Sequence, residues 1–207
     1  MINEVSLRLE YDSKADTLIN IRDAIVDTLR ETLDVEQYVD SIQGRVKSKD
    51  SFIRKAIKGQ ERYRNPFQDI EDIIGIRILV LFKSASGNIA NKITSSVFPP
   101  VETSYRMEAT PKAFGYEGYQ SIHSIPISFI PKDGESYPRV FELQVRTLFQ
   151  HAFSEPEHEL NYKRSFALAE GDDFEYQKKF AWLSATSWGA DSILEELYNT
   201  YKKMDPS

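Results

Sequence analysis

The amino-acid sequence predicts a single α+β domain in which a mixed β-sheet is flanked by helices. Its strongest strand signal is a nearly continuous apolar run at 76–82, which is typical of a central strand buried on both faces. Three further strand-like segments follow this run, and segments with helical periodicity lie at both ends of the chain. The 207 residues fit one domain, 1–207, because two full domains would be tight at this length.

Helical periodicity and capping residues define the elements that precede the central strand. Ser13 is positioned to cap the first helix, in which apolar residues recur at helical spacing. Arg77 is the single charge within the apolar run. The elements expected in this half are a helix over 13–34, a strand at 38–47, a short helix at 50–58 and a helical turn at 69–74 that Gly75 closes.

The second half of the chain alternates between strands and helices. Pro126 falls inside a predicted strand and indicates an edge position or a bulge. The expected elements are a helix at 87–97, strands near 101–108, 119–130 and 138–147, a turn at 131–136, a helix near 148–163 and a last helix after a break at 171–173. An apolar stripe on this last helix predicts core packing or a subunit contact, and consists of Ala190, Ile193, Leu194, Leu197, Tyr198 and Tyr201.

Composition excludes several classes of protein and of site. With 41% hydrophobic and 28% charged residues, the chain can bury a core and is not a disordered protein. The absence of cysteine excludes disulfides, zinc fingers and thiol catalysis, and three histidines argue against a multi-histidine metal centre. No apolar segment resembles a secretory signal or a membrane span, so we expect a cytoplasmic protein with no membrane partner.

The positive charge is concentrated in one short segment of an acidic chain. The net charge of the chain is −6, which argues against broad nonspecific binding of nucleic acid. Residues 1–44 carry 4 basic and 10 acidic side chains, whereas residues 45–64 carry 8 basic and 2 acidic ones. The basic segment, 45–64, is either a solvated face or a binding site for anions.

Part of the basic segment has a pattern that suits a polyphosphate. Arg45 and Lys47 would point to the same side of a strand, and Ser51 and Lys55 would share one face of the helix that follows. Cations and a hydroxyl near a helix N-terminus are groups that bind phosphate. The sequence has no glycine-rich nucleotide loop, so any nucleotide site would have to use these side chains.

Two acidic residues lie where a strand could present them. Asp72 precedes the central strand, and it either forms a structural pair with Arg77 or binds Mg²⁺, which takes one or two carboxylates together with substrate phosphates. Glu142, Gln144 and Arg146 alternate with apolar residues along a predicted strand and would line one of its faces. That face is either the floor of a site or a solvated surface.

Aromatic and histidine residues mark two further segments. Tyr119 opens a strand and could stack on a base or pack in the core, and His123 follows on the same strand. His151 and His158 lie seven residues apart and could share a helix face. Further ligands for a zinc ion are missing from the sequence around them.

Five segments in order resemble the synthetase domain of the RelA/SpoT alarmone synthetases: RVKSKDSFIRK, DIIGIR, GYQSIH, ELQVRT and EHELNYK. The resemblance covers about residues 40–165. The hydrolase and the long regulatory domains of that family have no counterpart, so the chain is similar to a stand-alone small synthetase. The resemblance implies a nucleotidyltransferase-like fold and transfer of the β,γ-pyrophosphate of ATP to the ribose 3′-hydroxyl of GDP or GTP, which makes (p)ppGpp and releases AMP.

The resemblance also implies roles for individual residues. On the ATP side, adenine would be sandwiched by Arg45 and Arg77, and the phosphates would be bound by Lys47, Ser51 and Lys55. Mg²⁺ would be held by Asp72 and Glu142, and Glu142 would also activate the 3′-hydroxyl. On the acceptor side, Tyr119 would stack on guanine, and the site would also contain Gln144, Arg146 and His123.

The acceptor side departs from the family pattern. Gly115 stands where the family usually carries a lysine, which Lys112 could replace, and Tyr116 competes with Tyr119 for the stacking role. The alternative function is that of a toxic relative that pyrophosphorylates the 3′ end of tRNA, with tRNA and an antitoxin protein as its partners, although the acidic chain favours a nucleotide acceptor. A third hypothesis is a nucleotide-binding module without catalytic activity, but the presence of both Asp72 and Glu142 argues against it. The sequence leaves the oligomeric state open, including a homo-oligomer.

Overall fold

Five β-strands form one mixed sheet in the computed structural model, which describes residues 2–34, 36–107, 118–132, 136–154 and 172–204. The strands are β1 (Val39–Val46), β2 (Ile74–Val80), β3 (Pro100–Met107), β4 (Gly118–Ser124) and β5 (Val140–Thr147). They lie in the order β1-β2-β5-β4-β3, and β2 pairs with β5 in parallel whereas the other neighbours are antiparallel. The predicted mixed sheet is confirmed, and the apolar run does form a strand inside it.

Helices lie at both ends of the chain and between the strands, which confirms the α+β class. The described residues contain α1 (Glu4–Leu33), α2 (Lys49–Lys58), α3 (Pro66–Asp69), α4 (Lys83–Ser96), α5 (148–154) and α6 (Asp172–Met204). Within this part of the chain, none of the helices combines the length and the apolar character that crossing a bilayer requires.

The first helix begins earlier than the predicted 13, and Asn3 rather than Ser13 caps it. The side-chain oxygen of Asn3 accepts a hydrogen bond of 3.0 Å from a backbone amide of the first turn. The periodic signal was interrupted because Lys14 occupies a core position. Lys14 is buried, and its ammonium group lies 4.4 Å from the centre of the Tyr137 ring. A cation over an aromatic face can substitute for an apolar side chain at such a position.

The segment before β2 also differs from the prediction. The helical turn expected at 69–74 is α3, which ends at Asp69, and Gly75 lies inside β2 instead of closing a turn. The backbone N–H of Lys47 donates to the carbonyl of Ile73 at 2.8 Å, which extends the contact between β1 and the start of β2. Pro126 lies outside the sheet, because β4 ends before it at Ser124.

Alternation along the strands gives the sheet one apolar face and one polar face. Ile74, Ile76 and Ile78 belong to the hydrophobic core on the apolar face, together with buried side chains of α1 and α4. Gly75 and Arg77 alternate with them and lie on the polar face. The polar face is therefore the one on which polar side chains of several strands can meet.

The C-terminal helix is attached to the sheet through one part of its predicted apolar stripe. Tyr198 is buried and stacks on Phe82 with ring centres 4.1 Å apart. Asp191 is also buried, and its carboxylate accepts a hydrogen bond of 2.6 Å from the hydroxyl of Thr147 at the end of β5. Ile193 and Leu197 of the same stripe are about 60% exposed, so core packing accounts for only some of the stripe.

Substitution of Gly44 tests how closely β1 packs against α1. A Cβ atom at Gly44 would lie 2.7 Å from Cγ2 of Val26, so Gly44→Ala should destabilise the protein by about 1–3 kcal/mol through overpacking. Gly87, inside α4, has no atom within 4 Å of such a Cβ. Gly87→Ala should therefore stabilise the protein by about 0.4–1 kcal/mol. Chemical denaturation measures both values, and equal stability of the two variants would contradict the described packing.

Candidate active site

The candidate site lies on the polar face of the sheet, where strand register brings polar residues together. Two rows cross the strands, one formed by Arg45, Gly75 and Glu142 and the other by Gln43, Arg77, Gln144 and Gln120. These rows border a cleft of about 100 Å³, which is lined by residues of β1, β2 and β5. The site is thus assembled from strands that are far apart in the sequence.

Gly75 gives Arg45 the space to lie across the central strand. A Cβ atom at Gly75 would be 3.0 Å from Nε and 3.3 Å from Cγ of the Arg45 side chain. The guanidinium continues toward Glu142 and ends 3.8 Å from its Oε2 atom. The side chain of Arg45 is 60% exposed, so it forms an open wall of the cleft that a ligand can reach.

Two lysines of the basic segment converge on Asp72. Lys47 Nζ lies 2.8 Å from one oxygen of the Asp72 carboxylate, and Lys55 Nζ lies 3.0 Å from the other. Burial by itself would raise the pKa of Asp72, but the hydrogen bonds and charges of the two lysines outweigh it and hold that pKa below its ordinary value. Asp72 is therefore ionised at neutral pH, and its charge partners are these two lysines and not Arg77, which was one of the two alternatives.

The rest of the basic segment is divided between the site and the protein surface. Ser51 lies in the first turn of α2, one helical turn before Lys55 as predicted, and its hydroxyl is 3.0 Å from that of Ser48. Lys49 points elsewhere, and its ammonium group binds the carboxylate of Asp12 on α1 at 2.9 Å. The segment is neither a uniform solvated face nor a uniform binding surface.

Glu142 is the buried carboxylate of the cleft, and two amides hold it. The side-chain amide of Gln120 donates to Oε1 at 2.5 Å, and that of Gln144 donates to Oε2 at 2.9 Å. Burial raises the pKa of Glu142, and the negative charge of Asp72 raises it further. The charge of Arg45 and the hydrogen bond from Gln120 lower this pKa, but burial outweighs them, so the pKa of Glu142 lies above its ordinary value. A fixed carboxylate with a raised pKa is suited to accept a proton.

Mg²⁺ fits this arrangement better than zinc or another soft metal. Asp72 lies three residues before Gly75, which pairs with Glu142 in the register of β2 with β5, and the charge of Asp72 contributes to the raised pKa of Glu142. No group of three or more His, Cys, Asp or Glu side chains suited to a metal occurs among the described residues. Two carboxylates with phosphate oxygens are the ligands that Mg²⁺ prefers, and Asp72 and Glu142 are the residues that would hold it.

Arg77 and Arg146 extend from the sheet toward α5. NH1 of Arg77 lies 3.2 Å from Nδ1 of His151, and NH1 of Arg146 donates to the hydroxyl of Ser154 at 2.7 Å. Arg77 also lines the cleft, whereas Arg146 is buried beneath α5. The structure therefore brings Arg77 to the cleft with Arg45 and Glu142 and gives Arg146 a contact within the protein.

The structure does not bring Tyr119 and His123 together with Glu142. They pair with Val145 and Phe141 across the sheet and so lie on its apolar face, because successive strand residues point to opposite sides. His123 is fully buried, donates from Nδ1 to the Phe98 carbonyl at 2.7 Å, and burial lowers its pKa.

The structure places His123 on the face of the sheet opposite to Glu142, and its place in the acceptor site stays a prediction that this geometry does not support. The side chain of Tyr119 packs partly against the core, on the same face as His123. Its stacking on guanine stays a prediction that the geometry does not support. Several other predicted features lie outside the described residues: Lys112, Gly115, Tyr116, His158 and the EHELNYK segment.

Sequence reasoning did not assign Gln120 to the site, and it considered His151 only for a zinc ion and not as a contact of Arg77. Gln120 could have been found from strand alternation, because it lies between two residues of the apolar face and must point toward Glu142. The start of α5 was predicted near 148, where the structure has it, and the Thr147 to Gln150 spacing there is that of a capping box. The Gln150 side chain accepts from the Thr147 amide at 2.9 Å, and Thr147 accepts from the Gln150 amide at 3.1 Å.

Comparison with known proteins gives two kinds of relative. A profile of the region found in RelA / SpoT proteins matches residues 44–166, which is more than half of the chain. GTP pyrophosphokinase YjbM from Bacillus subtilis (strain 168) is 30% identical over 146 residues. That match covers 69% of this chain and 66% of YjbM, slightly less than two thirds of its length.

Solved structures share the fold across nearly the whole chain. Small alarmone synthetase 1 from Bacillus subtilis gives a TM-score of 0.77 at 19% identity and covers 94% of this chain and 98% of that one. A GTP pyrophosphokinase family protein from Streptococcus pneumoniae gives a TM-score of 0.76 at 20% identity, with 95% and 96% covered. Together with the profile match, which confirms the resemblance of the five segments, these findings show that the chain belongs to the RelA/SpoT family.

Proposed function

We propose that this protein is a GTP pyrophosphokinase, which transfers the β,γ-pyrophosphate of ATP to the 3′-hydroxyl of GDP or GTP. The observation that carries the proposal is the convergence of Lys47 and Lys55 on Asp72, next to the cleft that Arg45, Arg77 and Glu142 line. The name of YjbM supports it, as do structures of small alarmone synthetase 1 bound to pppGpp and to AMPCPP. The proposal needs no tRNA, antitoxin or second copy of the chain, and soluble nucleotide substrates suit a cytoplasmic location.

The donor nucleotide would lie along the side of the cleft formed by β1 and β2 and extend from there toward Lys55 of α2. Arg45 and Arg77 come from neighbouring strands and can place two planar guanidinium groups against adenine. Lys47 and Lys55 would exchange part of their contact with Asp72 for phosphate oxygens, and Ser51 adds a hydroxyl at the start of α2. Mg²⁺, held by Asp72 and Glu142, would neutralise phosphate charge when bound.

The transfer itself requires little covalent chemistry from the protein. The 3′-oxygen of the acceptor attacks the β-phosphorus of ATP, the bond from that phosphorus to the α-phosphate oxygen breaks, and AMP leaves. The 3′-hydroxyl proton passes to Glu142, whose carboxylate Gln120 and Gln144 orient. Positioning and charge neutralisation by the cleft residues supply most of the rate enhancement in reactions of this type.

The two carboxylates can be tested by neutral replacements of the same shape. Asp72→Asn and Glu142→Gln should each lower the rate of pyrophosphate transfer about 10²–10⁴-fold, because each removes a positioned charge or base. The measurement is transfer of label from γ-labelled ATP to GDP or GTP with Mg²⁺ present. Asp50→Asn is the matched control, because Asp50 pairs with Arg8 on the surface. Near-normal turnover in either site variant would disprove its assignment.

A lysine series separates a phosphate site from a solvated basic face. Lys47→Ala and Lys55→Ala should each weaken binding of a non-hydrolysable ATP analogue about tenfold or more, because charge-assisted hydrogen bonds are lost. Lys49→Ala should leave binding nearly unchanged, since Lys49 pairs with Asp12 away from the cleft. Calorimetric titration at fixed ionic strength compares the three. Equal losses in all three would indicate only a general effect of positive charge.

The acceptor can be identified by a product panel. We expect label from γ-labelled ATP in GDP or GTP and none in tRNA, because the proposal assigns the lysines that converge on Asp72 to the donor phosphates. Transfer to a nucleotide should also depend only weakly on salt, whereas a tRNA acceptor with several phosphate contacts would lose affinity steeply. Label that appears in tRNA alone would overturn the proposed acceptor while leaving the donor site intact.

A further inference from the structure

We propose that His151 is a positioning residue for the donor base, which holds the guanidinium of Arg77 in the orientation that stacks on adenine. The inference rests on the proposed function, because Arg77 meets adenine only if ATP is the donor. NH1 of Arg77 lies 3.2 Å from Nδ1 of His151. His151 belongs to α5, and its partner belongs to the central strand, so the contact joins the helix to the floor of the cleft.

The chemistry of the two groups fixes the direction of this hydrogen bond. A guanidinium can only donate, so Nδ1 of His151 must accept, and the imidazole is neutral with its proton on Nε2. The N–H groups of arginine lie in the plane of the guanidinium. A partner at the edge of that plane limits rotation of the group without itself covering the faces on which a base would stack.

A contact that orients the side chain before the ligand binds matters more for Arg77 than for Arg45. The side chain of Arg45 is 60% exposed, and its guanidinium ends 3.8 Å from Glu142. Arg77 is partly buried on a strand whose other residues are buried. A long side chain loses rotamer freedom when it binds a ligand, and orientation before binding reduces that loss. Arg77 would therefore be the fixed side of the adenine site, and Arg45 the side that adjusts to the ligand.

His151 can perform this function because the start of α5 is anchored to the sheet. Thr147 and Gln150 form the reciprocal capping bonds at the end of β5, and Asp191 of α6 binds the Thr147 hydroxyl. One turn further along, Ser154 accepts from Arg146 and donates to the carbonyl of His151 at 3.2 Å. The position of the imidazole is thus set by contacts that do not involve the ligand.

The test compares a ligand that has a base with one that does not. His151→Leu should weaken binding of AMPCPP about tenfold, which is about 1.4 kcal/mol. Binding of inorganic tripolyphosphate should stay unchanged, because it lacks adenine. His151→Asn retains an acceptor oxygen and should lose less than His151→Leu. Ala152→Leu introduces the same leucine at the exposed neighbouring position of α5 and is the control. It should leave the binding of both ligands unchanged.

A mutant cycle with Arg77→Ala distinguishes the possible failures. If His151 acts through Arg77, the double variant His151→Leu/Arg77→Ala should bind AMPCPP as weakly as Arg77→Ala alone. Unchanged binding in Arg77→Ala would overturn the donor site of the proposed function and this inference with it. Weaker binding in Arg77→Ala but not in His151→Leu overturns this inference alone.

Two outcomes show a merely structural role, and both overturn the inference. The first is equal weakening of AMPCPP and tripolyphosphate in His151→Leu, and the second is strict additivity in the mutant cycle. Thermal unfolding of each variant accompanies the titrations. If His151→Leu does not fold, His151→Asn replaces it in the cycle, and additivity there has the same consequence.

Discussion

The parallel pairing of β2 with β5 at the centre of the sheet determines which side chains meet in the cleft. This register places Gly75 beside Glu142 and Arg77 beside Gln144. A slip of one residue would turn the polar side chains of β5 toward the hydrophobic core, where they would lack partners. Parallel neighbours need a long crossover, and here it contains α4, β3 and β4. The return of β4 against β5 is what brings Gln120 to Glu142.

The two carboxylates of the cleft differ because their surroundings differ. Asp72 is surrounded by two lysines, which lower its pKa despite burial. Glu142 is buried among amides, and burial together with the charge of Asp72 raises its pKa. Pairs of carboxylates with opposite shifts are suited to separate tasks. In the proposed reaction, Asp72 keeps a permanent charge for the metal and the phosphates, while Glu142 can take up a proton.

Local secondary structure determines which lysines of the basic segment reach the site. Lys47 leaves the end of β1 and Lys55 projects from α2 one turn after Ser51, so both reach Asp72. Lys49 begins α2 on another side and pairs with Asp12 of α1. The same segment therefore serves the site and also ties α2 to the first helix. Net charge alone does not distinguish these two uses.

The sequence by itself determined the class of the fold and the buried central strand, and it singled out the residues from Arg45 to Arg77 that the structure gathers in and beside the cleft. These depend on local patterns, such as apolar runs, i, i+4 spacing and motifs in order, which one stretch of chain contains. It placed the boundaries of α1 and α3 wrongly, because Lys14 occupies a core position and Gly75 belongs to a strand.

Only the tertiary structure decided which strand faces meet. It showed that Gln120 rather than His123 contacts the face of Glu142, and that His151 reaches Arg77. Register between strands and the crossing of α5 over the sheet are set by packing among distant segments. No local pattern in the sequence specifies them.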